Sequence, residues 1–173
     1  YGVIDERVDF DLIAGIAAAR PEWHLALVGP TAKVAPEDLP RASNIRYFGM
    51  RPYAELPAFL ASFDVAILPF ARNEATQFIS PTKTLEYLAG GKPVVSTPIA
   101  DVIDLSGDVV DLAETPAAFV AAIERALEAT PAARRRRHER AQMLLKRHSW
   151  DAIASQMMAL MDGARGVEAF TPI

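Results

Sequence analysis

Short apolar runs recur along the chain at Tyr1–Ile4, Trp23–Val28, Ile45–Phe48, Val65–Leu68, Val94–Ser96 and Val109–Leu112. Each has strand length. Ala26–Val28 and Val65–Leu68 are apolar at every position, so both faces of those strands need cover. Between the runs, Phe10–Ala19, Tyr53–Ser62, Pro81–Ala89 and Pro116–Ala129 carry the helical period. Strands alternating with helices predict βαβ units around a parallel sheet. Gly29-Pro30, Gly49 and Pro69 follow strands, Gly90-Gly91 ends a helix, and Pro93 opens the next strand. Thr31–Ser43 is a connection with room for one helical turn. From Pro131 the pattern is helical only. It predicts helices over about 131–147 and 150–162, then a flexible tail over 163–173. In the second of these helices Ile153, Met157 and Leu160 form a stripe expected to face away from the sheet.

At 173 residues the chain is one domain in size, enough to bury roughly 70% of its unfolded surface. With 51% hydrophobic residues it is neither disordered nor fibrous. Its net charge of −4 argues against nucleic acid as a partner. Cysteine is absent, so disulfides, thiolate metal sites and cysteine nucleophiles are excluded. His24, His138 and His148 are too few for a histidine metal cluster, and Asp101, Asp104 and Asp108 read as caps and turns. No apolar run approaches the ~20 residues of a membrane span. Arg134–Arg147 holds seven basic side chains against Glu139, a local +6; the other 11 basic and 21 acidic groups give −10. That run reads as a solvated helix face, with anionic lipid as the alternative. Trp23 and Trp150 read as packing aromatics and His24 as a local hydrogen-bonder. The chain opens on Tyr1 inside what reads as a strand, with no signal segment ahead, and so reads as part of a longer protein.

An open parallel sheet binds ligands beyond the carboxyl ends of its strands. Here those loops are Asp5–Asp9, Gly29–Thr31, Gly49–Pro52, Phe70–Lys83 and Thr97–Asp101. None holds a dinucleotide glycine motif, a P-loop or a nucleophile elbow. Phe70–Lys83 is the richest. Ser80 is placed to cap a helix that Pro81 begins, with Thr82 and Lys83 in its first turn. Unpaired N–H groups and the helix dipole make that turn an anion site. Lys83 and Glu86, three apart, share a helix face. A cation for phosphate beside a carboxylate for hydroxyls suits a phosphorylated sugar. A capped helix with a surface ion pair is the plainer alternative.

The stretch Ser80–Val95, SPTKTLEYLAGGKPVV, resembles the donor-binding segment of glycosyltransferases with the two-domain GT-B fold, and most of all the family 4-like enzymes of bacterial polysaccharide synthesis. Tyr1–Arg7 resembles the first strand and loop of their C-terminal domain. Tyr47–Pro57 resembles the segment beside the nucleobase, Phe63–Phe70 the strand before the donor loop, and His148–Asp151 the start of the closing helix. The resemblance implies that Glu86 holds the ribose hydroxyls, and that Lys83 and Arg7 face the diphosphate and act in catalysis. It places Met50 and Arg51 beside the base, and Asn73, Glu74, Ser80 and Thr82 in the loop that touches sugar and pyrophosphate. Two departures stand out. Many such enzymes carry a second glutamate eight positions before the first, where this chain has Phe78; Glu74 is twelve before. Val3 stands where arginine is common.

The expected fold is thus α/β, a Rossmann-like six-stranded parallel sheet with helices on both faces and two C-terminal helices. The resemblance implies that residues 1–162 form the donor-binding domain of a bacterial glycosyltransferase. The resemblance implies transfer with retention from a nucleoside-diphosphate sugar to a saccharide or lipid-linked acceptor, without metal or cofactor. The acceptor site falls on an N-terminal domain of the same chain. The setting is cytoplasmic, with peripheral contact to the inner membrane face left open. A nucleotide-sugar epimerase on the same fold and a non-enzymatic flavodoxin-like interaction module are the alternatives.

Overall fold

The computed structural model describes residues 1–165. Helix α1 (Phe10–Ala19) is capped by Asp9, whose Oδ1 accepts from the Leu12 N–H at 2.8 Å. Strands β1 (Leu25–Leu27) and β2 (Ile45–Tyr47) pair in parallel. A 3-10 turn, Tyr53–Glu55, leads into α2 (Leu56–Ser62). Strands β3 (Ala66–Leu68), β4 (Val94–Ser96) and β5 (Asp111–Leu112) form a second parallel sheet in that order, with α3 (Thr82–Ala89) and α4 (Ala100–Ser106) between them. Three helices follow: α5 (Pro116–Leu127), α6 (Pro131–Arg147) and α7 (Trp150–Arg165). Thr115 and Thr130 cap α5 and α6 through their hydroxyls.

Helices cover both faces, as expected. On one face α1 and α5 pack Ile13, Ile16 and Phe119 against Leu25, Ile45 and Val95. On the other, α2, α3, α4 and α6 pack Leu60, Leu88, Val102 and Leu144 against Ala66, Leu68 and Val94. Val94 and Val95 are both fully buried and serve opposite cores, as strand alternation requires. Arg20 at the end of α1 is ion-paired with Glu124 of α5.

Among the described residues the expected six-stranded sheet is corrected to five strands in two sheets. Tyr1–Ile4 forms no strand. It runs beside residues 28–32, past the end of β1: the Gly2 N–H donates to Val28 O and the Ile4 N–H to Pro30 O, both at 2.9 Å, and the Ala32 N–H to Ile4 O at 3.0 Å. The ladder fails for two local reasons. Pro30 has no N–H to return a bond to the Gly2 carbonyl, and Gly2 sits at φ 143°, outside strand geometry. The segment then crosses over: the Ala71 N–H donates to Arg7 O and the Asp9 N–H to Pro69 O, both at 2.8 Å. Of Val109–Leu112 only the last two residues pair, while Val109 and Val110 fill the second core. Helix α4 stands where turns were expected; Asp101 lies in its first turn and Asp104 in its interior. Helix α7 runs to Arg165, over the first residues of the expected tail, and the rest of that tail lies outside the described residues. Trp150, expected to pack, is 86% exposed. The stripe on α7 does face out: Met157 and Leu160 are exposed and Ile153 is half-buried. Among the described residues no helix is long and apolar enough to cross a membrane.

Candidate functional site

The carboxyl ends of β1 and β3 flank the mouth of a cavity of about 910 Å³, and Arg7, Ser80, Thr82 and Lys83 line that mouth. Helix α3 begins one residue later than expected. Pro81 holds an extended backbone (ψ 97°) and occupies the cap position with no side-chain cap, so Ser80 does not cap and Lys83 is the second helical residue. No described group accepts from the N–H groups of Thr82 and Lys83. The turn is therefore electropositive and open.

Lys83 and Glu86 meet as the spacing predicts, with Nζ 2.7 Å from Oε1 and both side chains about one-third exposed (31% and 33%). The other carboxylate oxygen is also occupied: the Tyr1 hydroxyl donates to Glu86 Oε2 at 2.7 Å. Lys83 Nζ lies 5.2 Å from the centre of the Tyr1 ring, and that ring meets Tyr87 edge-on at 5.1 Å. The Tyr1 ammonium donates to the Tyr87 hydroxyl at 2.6 Å. Burial, then the Lys83 charge, lower its pKa to about 6. Burial and the neighbouring Glu86 push the Tyr1 phenol up, and burial does the same to Tyr87.

Arg7 reaches the same mouth from the first loop, held by Asp5. Its Nε donates to both Asp5 oxygens at 2.9 and 3.0 Å, and a terminal nitrogen donates to Oδ2 at 2.5 Å. Asp5 is only 5% exposed. The Arg7 hydrogen bonds hold its carboxyl below the usual carboxylate range, and Asp5 in turn raises Arg7. The fork leaves guanidinium N–H groups for an incoming anion. Asn73 ties the donor loop to the first loop through its Nδ2 and the Glu6 carbonyl, at 3.1 Å. Buried Thr76 braces the loop from inside, bonding Ala71 O and Asn73 O.

The structure thus gathers Lys83, Glu86, Arg7, Ser80 and Thr82, with Asn73 on the adjoining loop. It does not bring Glu74, Met50 or Arg51 into contact with them. Glu74 is exposed on the loop, Met50 is 80% exposed beyond β2, and Arg51 packs at 5.9 Å over Phe59 while its Nε donates to Phe48 O. Phe78, in the place of the second glutamate, is 88% exposed. Sequence reading missed Tyr1, Asp5 and Tyr87. Asp5 had a local signal, an acid two residues before Arg7; Tyr1 and Tyr87 had none, since the contacts that bring them to the site join residues 85 and 86 apart.

Comparison with known proteins bears on the family and the fold. The family model described as glycosyl transferase-like matches residues 11–159. A protein of Bacillus subtilis (strain 168) named as a teichuronic acid biosynthesis glycosyltransferase, TuaH, is 31% identical over 132 residues, covering 73% of this chain and 33% of its own length. The α,α-trehalose-6-phosphate synthase of Burkholderia multivorans superposes over 99% of this chain and 45% of its own, with a TM-score of 0.58 at 16% identity. A UDP-forming α,α-trehalose-phosphate synthase of Burkholderia xenovorans gives a TM-score of 0.65 at 16% identity, over 91% of this chain and 43% of its own. This chain therefore spans about a third of that curated relative and under half of those synthases. With the family matched over most of its length, the chain belongs to the glycosyl transferase-like family and has the fold of a GT-B glycosyltransferase C-terminal domain.

Proposed function

We propose that this chain is the donor-binding half of a bacterial glycosyltransferase that takes a nucleoside-diphosphate sugar and transfers the sugar, with retention, to a saccharide or lipid-linked acceptor. The observation that carries the reading is the open first turn of α3, where Lys83 stands against Glu86, with Arg7 lining the same cavity as Lys83. As the glycosidic bond breaks, negative charge builds on the departing diphosphate. Lys83, Arg7 and the N–H groups of Thr82 and Lys83 face that charge, and Glu86 accepts from the ribose hydroxyls once Tyr1 and Lys83 release it. Asn73, Glu74 and Ser80 belong to the loop over the sugar and pyrophosphate, and Met50 and Arg51 to the wall beside the base. On this reading the domain is residues 1–162, leaving-group stabilisation needs no metal or cofactor, the acceptor is held by an N-terminal domain, and the enzyme works in the cytoplasm.

Lys83→Ala tests it. The charge-assisted hydrogen bond that the ammonium gives the diphosphate is worth about 1.5–3 kcal/mol, so binding of uridine or guanosine diphosphate, read by calorimetry, weakens about 10- to 100-fold. The unliganded chain changes little. The Lys83–Glu86 pair contributes about 0.3–0.5 kcal/mol, offset by the 0.3–1 kcal/mol that a cation costs at a helix N-terminus. Unchanged affinity with a destabilised free chain makes Lys83 structural and removes the site; no binding of any nucleoside diphosphate to the parent chain points to the interaction module.

A further inference from the structure

Helix α6 carries the basic run, and the donor reading makes no use of it. Two of its seven cations are engaged. Arg137 turns inward, with Nη2 3.4 Å from Asp111 Oδ2. Arg134 donates to the Leu127 and Ala129 carbonyls at 2.8 and 3.0 Å. The other five, Arg135, Arg136, Arg140, Lys146 and Arg147, are exposed. Among the described residues none of these five makes an ion pair. Like charges four apart on a helix repel, and Arg136 and Arg140 stand so. An anionic partner turns that repulsion into attraction.

The exposed charges are also ordered. Arg136, Arg140, Met143 and Arg147 follow at intervals of four, three and four, so they share one side of α6 over about 16 Å. Ala141 and Leu144 turn elsewhere, into the second core. Met143 is 59% exposed in the middle of the stripe. The chain outside the run sums to −10, so a negative surface favours this face over the remainder of the molecule. Met143 separates the kinds of negative partner. Against a nucleic-acid backbone or an acidic polypeptide it gains little. At a bilayer it reaches the acyl boundary and is buried there, while the arginine stems lie along apolar surface with their heads at the phosphates.

We propose that this side of α6 rests on an anionic lipid bilayer, with Arg136, Arg140 and Arg147 at the lipid phosphates and Met143 between them at the edge of the acyl layer. The proposal is independent of the donor reading, since no residue of the donor mouth takes part in it.

The test is co-sedimentation of the chain with vesicles at about 0.1 M salt, where exposed charges more than about 10 Å apart are screened. Vesicles of phosphatidylcholine with one-third phosphatidylglycerol should bind the chain, and pure phosphatidylcholine should not. Arg136→Glu with Arg140→Glu should weaken binding about 30-fold or more. Arg41→Glu with Arg46→Glu changes the net charge equally on exposed residues elsewhere, and should weaken it no more than about threefold. Met143→Ser should cost about three- to tenfold on vesicles and nothing on polyglutamate or duplex DNA. No binding to the anionic vesicles overturns the proposal, and so do equal losses in the two charge-reversal variants, which make net charge the cause. Unchanged vesicle binding by Met143→Ser overturns it too, as does tighter binding of duplex DNA or polyglutamate at equal charge, which marks a soluble polyanion as the occupant.

Discussion

The 173-residue chain carries a buried α-amine at Tyr1, and the stability of that chain depends on pH between the amine's folded and unfolded pKa values. Its pKa falls from 8.0 to about 6, chiefly through burial and secondly through Lys83, against a smaller opposing pull from Glu86. Two units correspond to about 2.7 kcal/mol, and about 2 kcal/mol remains after allowing for water at the cavity mouth. The folded value lies below the unfolded one, so between them the unfolded chain holds more protons. Stability therefore rises with pH from about 6 to about 8, and below 6 the native state carries the charge at a fixed penalty. The perturbation is acetylation of the α-amine, which removes the proton site and leaves the rest of the chain alone. Urea unfolding at steps from about pH 5.5 to about pH 8.5 should show the free chain gaining about 2 kcal/mol on the acetylated one. Subtracting the acetylated curve cancels every contribution that the two chains share. Parallel curves would show that the amine is hydrated, and the reasoning about its burial would fall.

Asp5→Ala leaves the Arg7 fork without its acceptor; a loss of about 1–2 kcal/mol in urea unfolding is expected, limited because Arg7 is 38% exposed. In the parent chain this contribution is present above the ordinary carboxylate value and disappears as pH falls through the depressed Asp5 value, so acid titration of the variant should be flatter. Gly29→Ala places a Cβ 1.8 Å from Gly2 O at φ 146°, and a loss of about 2–4 kcal/mol should accompany faster exchange at Gly2 and Ile4. Trp150→Ser removes a side chain that touches little, and thermal unfolding should move by no more than about 0.5 kcal/mol; a larger loss means Trp150 packs.

Elements with local signals were legible. Phe10–Ala19 has an aspartate cap and a clean apolar period, and it is a helix over those residues. The Lys83–Glu86 pair was equally plain, since its three-residue spacing fixes the contact once the helix forms. What failed depended on backbone detail or on distance along the chain. Tyr1–Ile4 has strand composition, yet the proline that prevents its ladder lies in another segment. Ser80 is a good cap by type, but Pro81 stays extended and takes the cap position itself. Helix α4 hid because three aspartates in eight residues look like turns, and only its burial of Val102 shows the helix. The Tyr1–Glu86 contact joins residues 85 apart and has no local trace.

The first nine residues hold one more consequence, a mechanical one. They bond to residues 28–32 on one side and to Pro69 and Ala71 on the other, so they lace together two sheets that share no ladder. Behind them the halves are joined chiefly by side chains, with Val95 and Ala113 set among those of α1 and α5. A force applied at Tyr1 loads the lacing first. Its bonds are few and spaced along the thread, so they give way in turn. The molecule should then open along this seam, and the core that α1 and α5 share across both sheets gives way last.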